Sequence, residues 1–544
     1  MKISSLAPPR QRWGQTAVMQ GEWAGELVGP DVWVACRELI PAGSVFAFLA
    51  EHREALFPSS MFADMYPSAN GRPSMPPQVL AAAVTLQALH GLSDFETVQA
   101  LRCDLRWKAA CGLGLLDTAF DSSLLSYFRR RLARSADPQR IFTAVRALVH
   151  ATGVLKGKTR RALDSTVLDD AVATQDTVTQ LVAAIRRVIR ETPGAARVAA
   201  EHCGAHDYSD PGKPRIAWND EQARADLLDA LVGDAHRLLA HLPEQELGPK
   251  AADAVGLLAL VAGQDVQPAD DSDGRDGRWR ITKGTAPDRV ISTVDPASRH
   301  VHKTRTHKQN GYKAHLACEP QTGIYTAVAL RPGAGAEHHE GALAPDLLAD
   351  EHEPLDVFGD TAYSAATTCR ELAGRGHRLF VKPAPLKTAV PGGFSLDDFA
   401  IDTAAGTVTC PAGHQVPLSA PSGQHHQRKA LFTDQCTGCP LRAQCTTAKT
   451  GRIVTIRPHH DEQTAARRQA ATDPAWQDAY RRWRPPAERA VAWIVAHGNR
   501  RLRYRGTIKN NAWLHTRAAA LNLRTLINLG LTRTDTAWQI QAAA

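Results

Sequence analysis

From about Thr159 onward, strand-sized and helix-sized runs alternate, and one long helical stretch splits them. RALDSTVL reads as a short strand, as do RVISTVD, the pair GYKAHLACE and GIYTAVAL, LDVFGD and HRLFVKP. Pro320-Gln321-Thr322 between the paired strands predicts a hairpin, and SAATTCRELAGRG predicts the helix after LDVFGD. Residues 176–280 interrupt this series with helical periodicity, in VTQLVAAIRRVI, DEQARADLLDALVGDAHRLLAHL and AADAVGLLALV, and then the polar loop DVQPADDSDGRDG. A chain of this pattern is an α/β protein whose core, residues 155–540, is interrupted by that helical insertion. A second interruption is expected at 384–455, which is rich in Pro and Gly and holds a cysteine cluster. Two helices, PPAERAVAWIVAH and AWLHTRAAALNLRTLINLGL, are expected to close the chain.

Residues 1–150 read as a helical N-terminal domain expected to bind DNA, the helical signal being clear from about residue 30. PPQVLAAAVTLQALHG has prolines suited to a helix start. Ser93-Asp94-Phe95-Glu96 is a capping box, and its helix should run to about Ala110. SSLLSYFRRRL follows, carrying Arg129, Arg130 and Arg131. Two helices joined through a glycine-containing turn, the second basic, fit a helix-turn-helix DNA reader; they fit a helical bundle with an arginine-rich surface equally well.

At 544 residues the chain exceeds one ordinary domain, and its net charge of +8 permits a polyanionic partner. No apolar run is long enough for a membrane span, and MKISSLAPPRQRWGQ lacks a signal peptide's apolar stretch, so a cytoplasmic, nucleoid-associated protein with no membrane partner is expected.

Three acids sit at the ends of predicted elements. Asp164 lies in RRALDSTVL, Asp360 closes PLDVFGD, and Glu488 opens the helix PPAERAVAWIVAH. Alone, each has a plain explanation: a turn residue, a cap, or an acid stabilised by the helix dipole by roughly 0.3–1 kcal/mol. Around Glu488, however, stand Arg481, Arg482, Arg484, Arg489, Arg500, Arg501, Arg503 and Arg505. Carboxylates that want a cation, set among arginines that want an anion, indicate metal-assisted chemistry on a phosphate backbone.

Six of the ten cysteines are scattered, which suits reduced thiols. The other four, Cys410, Cys436, Cys439 and Cys445, fall in one segment, with Cys436 and Cys439 forming a C-x-x-C pair. They make a possible Zn²⁺ tetrad, in which His414 could replace one thiol; an iron–sulfur cluster or metal-free thiols are the other readings.

Taken together, these motifs resemble the DDE transposases of bacterial insertion sequences, specifically the insertion-sequence family numbered eleven-eighty-two. GRPSMPPQVLAAAVTLQALHGLSDFETVQAL through SSLLSYFRRRL is similar to that group's helical N-terminal domain. RALDSTVLDD resembles its first acidic motif, HKQNGYKAHLACEPQTGIYTAVALRPGA its central hairpin, GDTAYS its second acidic motif and RWRPPAERAVAWIVAHGNRRLRYRG its third. The resemblance implies an RNase H-like fold in which Asp164, Asp360 and Glu488 hold two Mg²⁺ (or Mn²⁺) ions for strand cleavage and transfer. It implies double-stranded DNA as partner (the element's inverted repeats and the target) and a homodimer on DNA. Tyr363, Arg484, Arg489, Arg500, Arg501, Arg503, Arg505 and Arg129–Arg131 are the expected DNA contacts. Relatives carry Tyr and Arg before the Glu and a Lys seven residues after it. Here Arg484 fits, Tyr480 is one place out of register and position 495 is Val, which passes the basic role to Arg500 or Arg501. A decayed or domesticated DNA-binding derivative is the alternative.

Overall fold

The computed structural model describes residues 20–21, 27–67, 74–244, 246–270, 272, 278–282, 286, 288–302, 308–535 and 537–541. Its helical N-terminal region is organised around α1 (Pro77–His90), which starts on Pro76-Pro77, stops at Gly91 in the left-handed conformation, and is buried on nearly every side. Ser93 Oγ accepts from the Glu96 amide at 3.2 Å, and Glu96 accepts from the Ser93 amide at 2.7 Å, which completes the expected capping box. The helix it opens ends at Cys103, short of Ala110. Asp104 adopts an extended backbone there, and its carboxylate accepts from the Arg106 amide, so a new helix starts at Leu105. The arginine-bearing helix α2 spans Ser123–Arg134, with Leu125, Phe128 and Leu132 facing inward.

The central sheet comprises β1 (Arg160–Asp169), β2 (Arg299–His302), β3 (Lys308–Cys318), β4 (Tyr325–Pro332), β5 (Asp356–Gly359) and β6 (Arg378–Val381). β3 pairs antiparallel with β1 on one side and with β4 and β2 on the other. β1 and β5 are parallel, as are β5 and β6. Helix α3 (Glu340–Leu347) covers one face through a small core of Leu163, Ala317, Leu347, Val357 and Tyr363. The other face lies in the main core, which runs without interruption from the N-terminal helices through Ala162, Leu316 and Phe358 to the C-terminal helices. The boundary near residue 150 therefore separates two kinds of element that share one core.

Four helices close the chain where two were expected: His460–Thr472, α4 (Pro474–Trp483), α5 (Pro485–Val495) and α6 (Thr507–Asn528). Asp473 divides the first two, capping α4 through Ala475 and Trp476. α6 lies along β4, an edge that would otherwise expose unpaired amides. Asn511 accepts from the Leu330 amide at 2.8 Å, and Asn522 accepts from the Tyr325 amide and donates to its carbonyl, both at 2.8 Å. Fully buried Arg517 donates to the Ala88 and Leu89 carbonyls at the end of α1 and to the Trp493 carbonyl near the end of α5. One guanidinium thus satisfies the orphan carbonyls of two helix C-termini, which is the charge sign those ends favour.

Between β1 and β2, helices Thr177–Glu191, Ala195–His202, Glu221–His241 and Pro249–Gln264 pack around their own apolar cluster. RVISTVD, expected to be a strand, is not one: Val290 makes a single bridge, to Arg299. Its backbone is taken by side chains instead. Val290 donates to Gln264 Oε1 and accepts from Gln180 Nε2, and the Thr293 amide donates to Gln175 Oε1. The cysteine-bearing segment forms short strands, the longest Arg428–Phe432 and Arg452–Ile456, around a small core of its own.

Candidate active site

Asp164 and Asp360 come together because β1 and β5 are parallel neighbours. Their register pairs Arg161 with Val357 and Ala162 with Phe358; carried two residues further, it sets Asp164 beside Asp360. Each carboxylate is aimed by a local bond. Asp164 Oδ1 accepts from the Ser165 amide at 2.8 Å. Asp360 Oδ1 accepts from the Ala362 amide at 2.9 Å, capping the turn Thr361–Tyr363.

Arg484 lies between them. Its Nη2 is 3.1 Å from Asp164 Oδ2 and 4.0 Å from Asp360 Oδ2. Asp164 and Arg484 are buried, whereas the Asp360 side chain is 48% exposed, so solvent reaches the pair from that side. Burial pushes the Asp164 carboxyl above its usual range; Arg484 and the Ser165 amide oppose this, and the charge of Asp360 adds to it. Burial alone would weaken protonation of Arg484, but Asp164 and Asp360 more than offset it, and the guanidinium stays charged. The Arg484 Nη1 is a buried donor without a partner among the described residues.

Arg484 is also the residue before α5, in helical conformation, so Glu488 four residues on shares its face. Glu488 is exposed. Tyr480, on α4, links it to Arg484 and Asp360 electrostatically: burial raises the Tyr480 pKa, Arg484 lowers it, and Asp360 and Glu488 raise it further. Among the described residues no three His, Cys, Asp or Glu side chains are drawn close enough together to hold an ion. The expected triad therefore stands as an assembled pair plus a third acid outside it. A guanidinium lies between the two carboxylates and supplies positive charge where a divalent ion would. Two adjacent carboxylates sharing one cation, with hard oxygen donors only, nevertheless suit Mg²⁺ or Mn²⁺.

Tyr363, expected to touch DNA, lies instead in the core beneath the pair, its hydroxyl buried and unpartnered among the described residues. The arginines divide into groups. Arg500 and Arg501 belong to a segment zipped onto the end of β1, where the Asp169 amide donates to the Arg500 carbonyl at 2.8 Å and the Leu502 amide to the Asp169 carbonyl at 2.8 Å. Arg500 Nη1 also donates to the Val167 carbonyl, and Arg489 is exposed on α5. Arg131 turns away and stacks on Tyr66.

Arg129, Arg130, Arg134, Arg503, Arg505 and Lys509 line one cleft of about 550 Å³ between α2 and the start of α6, and no Asp or Glu lines it among the described residues. Arg129 is fixed there by Asp94 and Gln87 and lies over the Tyr504 ring. Two groups of arginine far apart in the chain thus form one basic surface. Sequence reading missed this union, and it missed Lys313 and Glu340, which pair at 3.0 Å on the opposite face of β1, where Ser165 donates to Glu340. Only the strict alternation of side chains about Asp164 could have placed Ser165 on that face.

The strand order β4-β3-β1-β5-β6, antiparallel then parallel, with paired carboxylates on β1 and after β5, is compatible with an RNase H-like DDE core, a class of nucleases and polynucleotidyl transferases. A family model described as a transposase DDE domain matches residues 283–391, another of the same description matches residues 409–527, and a transposase domain (DUF772) matches residues 34–131. These transposase domains support an insertion-sequence DDE transposase. Asp360 and Glu488 fall within matched ranges, and Asp164 lies between two of them. Neither the curated proteins nor the solved structures compared with it gave a match. Among the described residues no helix is long and apolar enough to cross a membrane.

Proposed function

We propose that this transposase, a member of insertion-sequence family eleven-eighty-two, cuts and joins DNA at Asp164, Asp360 and Glu488. The observation that carries the reading is the side-by-side placement of Asp164 and Asp360 on parallel strands, sharing Arg484, with Glu488 one helical turn away. Mg²⁺ or Mn²⁺ bound by these acids would activate the attacking hydroxyl and stabilise the leaving oxygen. In this reading Arg484 holds the two carboxylates in place, and with a metal bound there it would be released toward a DNA phosphate, for which its Nη1, unpartnered among the described residues, is available.

The basic cleft holds the DNA strand leading to the site. Its wall includes the start of α6, where Gly506 offers no side-chain cap, so among the described residues no side chain at the N-cap competes with phosphate oxygens for the first amides of a 22-residue helix. The cleft is coupled to the site through β1, since the segment that carries Arg503 and Arg505 begins where β1 ends. Joining two element ends calls for two copies on DNA.

The test is an assay on DNA bearing the element's own ends. Wild type with Mg²⁺ should release 3′-hydroxyl ends and couple them to a target strand. Asp164→Asn, Asp360→Asn and Glu488→Gln should each reduce both steps about 10³-fold or more with DNA affinity kept. Cleavage at wild-type rate by the Asp164→Asn, Asp360→Asn double variant would remove the assignment. A wild-type chain that binds the ends tightly and never cuts them would instead mark it as a domesticated binding protein.

A further inference from the structure

Residues 394–456 fold around a core of only a few apolar side chains, Phe399, Val408, Val416, Leu418, Phe432, Val454 and Ile456 among them, with Cys436 and Cys445 buried in it. Strands there span three to five residues. Units of this size hold together when something besides burial cross-links them. No disulfide does so, because every cysteine is free.

Cys410, Cys436, Cys439 and Cys445 all line one small cavity, although they come from three separate stretches of chain. Each is presented on a tight local structure. Cys410 opens a turn in which its amide donates to the His414 carbonyl and Gly413, at φ +84°, donates back to the Cys410 carbonyl. Cys436 and Cys439 flank a turn whose Gly438 has φ +74°, and Cys445 ends a single helical turn. Hydrogen-bond donors lie close to the sulfurs. The Arg452 amide donates to Cys436 Sγ at 3.4 Å. Arg442 and Arg452 both line the cavity, and the buried Arg452 Nε has no hydrogen-bond partner among the described residues.

We propose that these four cysteines hold one structural zinc ion. Four thiolates around a divalent ion leave two negative charges, which Arg442 and Arg452 offset, and the Arg452 amide is the kind of outer partner that orients a metal-bound sulfur. Size decides between metals. The cavity offers about 20 Å³, room for one water-sized atom. A single ion matches that space better than a multi-atom iron–sulfur cluster. The four sulfurs are not at coordination distance as they stand, so binding requires their side chains to rotate inward around a shared point. His414 contributes its backbone carbonyl to the Cys410 turn and stays out of the ligand set. The inference is independent of the transposase reading, since it concerns what holds a segment together.

The experiment is elemental analysis of the full chain purified without chelator, with Co²⁺ exchange as the second readout. Wild type should carry about one zinc per chain, and the Co²⁺ form should show the intense near-ultraviolet thiolate bands and the visible bands of a tetrahedral four-sulfur site. Releasing the zinc from wild type with a mercurial should consume four thiols per ion, a measurement that needs no folded variant. Cys439→Ser and Cys445→Ser should each lower zinc content at least tenfold, while His414→Ala leaves it unchanged. Wild type that is zinc-free, or that carries iron with acid-labile sulfide, overturns the proposal, as does zinc retained after both cysteines are replaced.

Discussion

Replacing Arg484 with methionine removes the cation shared by Asp164 and Asp360 while keeping much of the side chain's bulk. At the observed 3.1 and 4.0 Å, with an effective dielectric of 20, the two attractions are about 5 and 4 kcal/mol before desolvation is subtracted. Removing one member of a buried pair costs about 3–5 kcal/mol net. The half-exposed Asp360 calls for the lower end, about 3 kcal/mol at pH 7. The chain contains several separate cores, so a single unfolding transition is not the right measure; hydrogen exchange of β1 amides reads the local opening instead. About 3 kcal/mol corresponds to roughly 10²-fold faster exchange near Asp164. The pH dependence follows from the sign of the shift. Asp164 already has a raised carboxyl pKa, and losing Arg484 raises it further. A group with a raised folded pKa favours the folded state at low pH and loses that contribution as pH rises through the folded value. The difference between variant and wild type should therefore be largest at pH 7 and shrink toward pH 4, after correction for intrinsic exchange rates. Millimolar Mg²⁺ should narrow it as well at pH 7, because a divalent ion can take the guanidinium's place. A difference below about 1 kcal/mol, or one that is the same at both pH values, would refute the shared-cation account.

Replacing Arg503 and Arg505 together with alanine should weaken DNA binding across sequences and reduce the slope of log affinity against log salt by about 2, measured by titration at several salt concentrations. An unchanged slope would exclude the cleft as a phosphate contact. Gly91→Ala puts a Cβ 2.5 Å from the His497 carbonyl oxygen at a residue with φ +68°, so a local loss of about 2 kcal/mol is expected, read as faster hydrogen exchange of the α1 amides. Burial holds the His515 imidazole down at about 4. Because the unfolded chain takes up the proton near 6.5, stability should fall by roughly 3 kcal/mol between pH 6.5 and about 4, and His515→Gln should flatten that dependence.

Much of the local structure was legible because its causes are local. Pro76-Pro77 and Gly91 bracket α1, the Ser93–Glu96 box starts the next helix, and Pro320-Gln321-Thr322 turns β3 into β4. The helix predicted to reach Ala110 failed at Asp104, whose carboxylate found a nearer amide than the helix offered. RVISTVD failed for a longer-range reason: glutamines on two helices, Gln180 and Gln264, and Gln175 just before the first of them take its backbone groups.

The chain's order of residues by itself settled the alternation of strands and helices, the strand-end position of Asp360, and the start of the helix that carries Glu488; Asp164, expected at a strand's end, lies in the middle of β1, which runs on to Asp169 because it stays paired with β3. Only the folded molecule decided which charges face one another. Arg484 bridges two acids that are far from it in sequence, Arg517 reaches the end of α1 across 429 residues, and Arg129 shares a cleft with Arg503. Caps and turns are settled by neighbours a few bonds away. The partner of a buried charge is settled by distance through space and by the cost of removing water from it, and neither is written in the spacing along the chain.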